Sequence, residues 1–200
     1  MAVTDPVFRD LWIASILVRA VSLLFGWRHR APLAWCVWAA FYLATGLAGI
    51  IANYAGLSHW YPAIWYTQQI GSALMLGLVL QDAIAPTDVL VGVSVLVAIA
   101  VSGTFSEIHH WPNRAVETVM WNCGTAILAM AIVACVGIAP RFKTFSAILA
   151  GFLLLYAILM LGGADYLTKP QIGIAWSLLE ISAFGAWAFL FGVKRASMKE

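Results

Sequence analysis

Apolar residues run through this chain in blocks of about 20 or more, the length of helix needed to cross some 30 Å of hydrocarbon. Short stretches rich in proline, glycine and charge punctuate them. The blocks predict seven helices, at 7–27, 32–54, 60–81, 86–107, 113–138, 143–166 and 169–193. The interruptions, among them WRHRAP, QDAIAPTD, EIHHWPN and APRFK, are too short to hold another domain, so consecutive helices should be antiparallel neighbours. Pro32, Pro86 and Pro170 fall in expected first turns, where a missing N–H is harmless, and Thr87 and Asp88 can cap the fourth helix. The expected fold is an all-α integral membrane protein, a single transmembrane bundle of about seven helices formed by residues 1–200.

Composition sharpens this reading. The chain is 63% hydrophobic and 10% charged, against about 25% charged in an ordinary soluble domain. So much apolar surface needs lipid as its solvent. A net charge of +2, with basic residues scattered over short connections, gives no basic stripe and excludes a nucleic-acid partner as an expectation. The opening MAVTDPVFRD lacks the basic n-region of a secretory signal, so the first helix is expected to stay as a span. Cys36, Cys123 and Cys135 lie inside apolar runs with no CxxC spacing and read as small buried hydrophobes.

Basic residues set the expected orientation. Arg28, Arg30, Arg141, Lys143, Lys194, Arg195 and Lys199 fall on one side, and only Arg9, Arg114 and Lys169 on the other. By the positive-inside rule the first side is cytoplasmic, which puts the C-terminus inside and the N-terminus outside a bacterial-type cytoplasmic membrane. Trp12, Trp60, Trp65, Trp111 and Trp121 then gather toward the outer half, as an aromatic belt at the headgroups would.

The strongly polar residues within the spans point to candidate chemistry. Glu180 stands at the centre of the last apolar block, where an unpaired carboxylate costs roughly 2.5–3.5 kcal/mol or more. It therefore requires a protein interior and a partner. On a helix, Gly173, Trp176, Ser177, Glu180, Ala183, Phe184 and Trp187 share a face, and so do Trp12, Ser15, Arg19, Ser22 and Gly26 on the first span. Tyr61, Trp65, Gln68, Gln69 and Ser72 form a third such face. Arg19, Gln68, Gln69, Glu117, Asn122 and Glu180 all belong to odd-numbered spans. Most of them lie about 12–18 Å along their helices at a rise of 1.5 Å per residue, with Glu117 shallower. They are the expected substrate-binding group, with Arg19 and Glu180 as a pair that removes net charge while sharing directional hydrogen bonds.

Other chemistries find less support. His59, Glu107, His109 and His110 have a metal-ligating composition, yet adjacent histidines diverge on a helix, so they form only a weak candidate site. A retinal Schiff base needs a lysine deep in the last helix, but Lys169 and Lys194 sit at its ends. No histidine lies inside a span to ligate haem iron. No cofactor is indicated. Three functional readings follow: a solute carrier or channel-like protein with a polar site in its bundle, a non-catalytic subunit of a larger membrane complex or homo-oligomer, and, last, a membrane enzyme.

Overall fold

The computed structural model describes residues 5–83, 103, 114–136, 143–166 and 169–193. Helices α1 (Pro6–Arg28), α2 (Leu33–Tyr54), α3 (Tyr61–Ala83), α4 (Ala115–Val136), α5 (Lys143–Tyr166) and α6 (Lys169–Val193) make up nearly all of them, with a 3-10 turn at Ser58–Trp60 before α3. Each matches an expected helix to within two residues at either end. The candidate at 86–107 lies outside the described residues apart from Gly103. Among the described residues five helices are long and apolar enough to cross a membrane, at Leu33–Tyr54, Tyr61–Asp82, Ala115–Cys135, Thr144–Gly162 and Pro170–Gly192. The chain is thus an all-helical protein of the integral membrane kind. Helix α1, expected as a span, is not among these five; it carries Arg9, Asp10, Arg19 and Arg28 along its length.

Helix ends follow the local sequence. The carboxylate of Asp5 accepts the amide N–H of Phe8 at 3.0 Å, capping α1, and Pro6 fills a first-turn position whose N–H would have had no partner. At its other end the amide of Ala31 donates to Gly26 O at 2.8 Å, and that of Arg30 to Trp27 O at 3.5 Å. This paired closure is a Schellman motif. Helix α2 ends likewise, with Leu57 N–H donating to Ala52 O at 2.8 Å and Gly56 in the left-handed conformation at φ 70°.

The chain forms two compact units, residues 1–68 with 168–200, and residues 69–167. In the first, α1 packs along α6 and against α2. Phe8 lies against Gly173 and Arg19 against Glu180, so α1 and α6 run parallel; Trp35, Arg19 and Trp12 meet Gly26, Gly46 and Gly49 respectively, so α1 and α2 run antiparallel. The buried face of α1 is Ser15, Ile16, Arg19, Ser22 and Gly26, as its sequence pattern required. Between α2 and α6 lies an aromatic core in which Trp35, Trp38, Tyr42, Phe184 and Trp187 are wholly buried. Its rings meet edge to face and offset, as at Trp35–Trp187 (5.5 Å) and Trp38–Phe184 (5.4 Å).

In the second unit α4 packs along α5. Gly124 permits the approach, since a Cβ there would stand 2.9 Å from that of Met160. Leu76, Leu80, Ile127, Met130, Leu149 and Tyr156 form its buried core. Gly77, by contrast, meets no described residue within 4 Å of the place a side chain would take. Cys36 and Cys123 are buried as expected, but Cys135 is exposed near the end of α4, correcting the reading of all three as buried hydrophobes.

Candidate functional site

Arg19 and Glu180 form a salt bridge through Nη2 and Oε2, and their side chains are only 1% and 3% exposed. What makes so buried a pair tolerable is that the surrounding groups satisfy it. The second carboxylate oxygen of Glu180, Oε1, accepts the phenol of Tyr42 at 2.7 Å, and the same phenol oxygen accepts the indole N–H of Trp176 at 3.0 Å. Arg19 Nη2 also donates to Ser15 Oγ at 2.9 Å, one turn back along α1. The Ser15 hydroxyl in turn donates to Trp12 O at 2.8 Å.

A third helix enters the cluster through its backbone. Arg19 Nη1 donates to Tyr42 O at 3.1 Å, a carbonyl in mid-helix that is reachable only because the residue one turn on is Gly46. A Cβ at position 46 would lie 2.7 Å from Nη1. The guanidinium also sits over the Tyr42 ring, 4.7 Å from its centroid, in cation–π contact. Thus α1 supplies the cation, α6 the carboxylate, and α2 a hydroxyl, a carbonyl and a ring face. Arg19 Nε and Ser22 Oγ are buried with no hydrogen-bond partner among the described residues.

The expected site residues divide between the two units. Arg19 and Glu180 are brought into direct contact in the first, where Gln68 is half-buried. Gln69, Glu117 and Asn122 belong to the second. Gln69 is buried and its side-chain carbonyl accepts the phenol of Tyr156; Asn122 is half-buried; Glu117 is exposed in the first turn of α4, where a carboxylate suits the positive end of the helix dipole. His59 is exposed and packs against Trp60, while Glu107, His109 and His110 lie outside the described residues. Among the described residues no three metal-ligating side chains gather. Of the expected belt, Trp60 and Trp121 are well exposed, but Trp12 is half-buried, T-shaped against Tyr61 at 6.2 Å. Trp111 lies outside the described residues.

Sequence reasoning missed Tyr42 and Trp176 as partners of the pair. Tyr42 stands on an even-numbered helix, and a tyrosine in an apolar run reads as core. One signal was available: Tyr42 and Gly46 are one turn apart, a hydroxyl beside a gap on the same face. Tyr42→Phe should keep the ring under Arg19 but strand Glu180 Oε1 and the Trp176 N–H, costing about 1–3 kcal/mol. Unfolding in mixed micelles measures it, and a variant as stable as the parent would show that the phenol contributes nothing.

No protein-family model matches the sequence, and neither a curated protein nor a solved structure matches it.

Proposed function

We propose that this protein is a seven-span, single-domain component of a bacterial-type cytoplasmic membrane, and that the Arg19–Glu180 cluster is a lock between its first and last helices. It would act as a non-catalytic subunit, assembling with copies of itself or with other membrane subunits. The observation that carries this reading is the closure of the pair: both oxygens of Glu180 and both terminal nitrogens of Arg19 are engaged by the chain's own groups, at 3% exposure or less. A solute site needs charged groups with hydrogen-bonding capacity to spare. Among the described residues Arg19 and Glu180 are the only buried charges, so work at the lipid- or partner-facing surface remains.

The parallel course of α1 and α6 supports the seven-span count. Six helices that each cross once would leave the first and sixth antiparallel, so a further crossing between them is needed, and 86–107 is the apolar stretch that can supply it. The charge of Arg19 lowers the hydropathy of α1 but is neutralised in the fold, which supports α1 as a span too. The N-terminus is then outside and the C-terminus cytoplasmic. Single-cysteine labels at the C-terminus and at Asn113, in sealed vesicles, should react from opposite sides; reaction from one side would refute this topology.

A second reading, a solute carrier or channel-like protein, is favoured by the unspent Arg19 Nε and Ser22 Oγ beside the pair. In that case Arg19 and Glu180 would be the charged groups of its site. The double variant Arg19→Met with Glu180→Leu separates the two readings. Under the lock reading, the parent and the folded double variant migrate in mild detergent as the same assembly, larger than one chain, and proton flux into dye-loaded proteoliposomes is equally low for both. A parent that runs as a single chain, or one that conducts protons while the folded double variant does not, would replace the lock by the carrier.

A further inference from the structure

The turn between α1 and α2 carries a residue that its backbone does not favour. Arg30 occupies the left-handed position of the Schellman motif at φ 56°, and is the only non-glycine residue with positive φ among those described. At the equivalent position after α2 the chain uses Gly56, at φ 70°. An L side chain there brings its Cβ against the backbone, whereas glycine does not. A strained residue at an exposed turn is a reason to ask what its side chain does.

Its surroundings answer in terms of charge and shape. Arg28 and Arg30 are both exposed, and Trp27, in the last turn of α1 beside Arg28, is 71% exposed. Behind them an apolar stripe of Leu17, Val21 and Leu24 follows one exposed face of α1 down to Arg28. From Leu17 to Arg28 the helix rises about 16 Å, close to half of the roughly 30 Å hydrocarbon thickness. Tryptophan favours the headgroup level, and basic residues there attract anionic lipid. Two guanidiniums at one end of a stripe one leaflet deep match a phosphate joined to an acyl chain. A free phosphate would use the cations and leave the stripe without a role.

We propose that this turn binds an anionic phospholipid, its phosphate held by Arg28 and Arg30 and an acyl chain lying along Leu17, Val21 and Leu24. Arginine stands at position 30 because the headgroup contact outweighs the strain. The inference is independent of whether the Arg19–Glu180 cluster is a lock or a site.

Arg30→Gly provides a test whose two readouts move in opposite directions. The full chain is placed in dodecylmaltoside micelles, and phosphatidylglycerol, phosphatidylcholine or soluble glycerol 1-phosphate is titrated in while thermal unfolding and lipid retention by native mass spectrometry are followed. For the parent, phosphatidylglycerol should raise the unfolding midpoint and be retained, and neither phosphatidylcholine nor glycerol 1-phosphate should match it. Arg30→Gly should unfold at the same temperature or higher in phosphatidylcholine, with its strain relieved, yet retain phosphatidylglycerol about fivefold less well; adding Arg28→Gln should bring the loss to about 25-fold. Equal responses to the two lipids, a full response to glycerol 1-phosphate, or an Arg30→Gly protein that is less stable in phosphatidylcholine but keeps its phosphatidylglycerol retention would each overturn the proposal.

Discussion

Arg19→Met alone is expected to destabilise the protein by about 3–5 kcal/mol, and Glu180→Leu alone by a similar amount. Each single change strands the other charge where no further described charge is buried to neutralise it, since these two are the only buried charged residues among those described. Glu180 without Arg19 would keep the phenol of Tyr42 but lose its cation. Arg19 without Glu180 would keep Ser15 Oγ and Tyr42 O but carry an uncompensated charge. Combining the two substitutions removes both desolvation costs and should recover most of the loss. Recovery should fall short of complete, because Tyr42 then lacks its acceptor and the gap at Gly46 lacks the guanidinium that fills it. Equilibrium unfolding of the four proteins in mixed micelles gives the coupling energy directly. Additive losses, with the double variant as unstable as the sum of the singles, would mean that the two groups do not interact.

The pair was legible in the sequence because a charge inside an apolar run has few solutions. Arg19 and Glu180 each fell on a face that mixes small and polar groups, and those faces are the buried ones: Ser15, Ser22 and Gly26 on α1, and Ser177, Ala183, Phe184 and Trp187 on α6. Helix positions were legible for a similar reason, since proline and charge stop apolar runs abruptly, as at Pro32 and Lys169. What periodicity cannot carry is which helix faces which. Sorting the strongly polar residues by odd and even spans left out α2, yet α2 completes the cluster with a tyrosine hydroxyl and a main-chain carbonyl. A carbonyl is invisible to any reading of side chains. Similar depth along the helix was equally insufficient: Gln69 lies about as deep as the pair, but its partner is Tyr156 in the other unit.

Trp187→Ala should cost about 3 kcal/mol, while Phe189→Ala, two residues further along the same helix, should cost almost nothing. Trp187 is wholly buried, with its ring edge to face against Trp35 at 5.5 Å, Trp38 at 5.9 Å and Phe184 at 5.3 Å. Phe189 is 73% exposed on the outside of α6. In water either loss would forfeit burial, but in a bilayer an exposed ring exchanges lipid contacts for lipid contacts. Apolar burial therefore supplies little drive between helices in lipid, and packing has to supply it. Removing Trp187 leaves a hole that three rings cannot close without moving, so the cavity contribution persists and the transfer contribution largely drops out. That places the expected loss at the lower end of the about 3–5 kcal/mol found for tryptophan truncations in soluble cores. Unfolding of both variants in the same mixed micelles would measure the difference. Similar losses at the two positions would mean that position 187 is not the packing hub described, or that the outer face of α6 at Phe189 is itself covered by another protein.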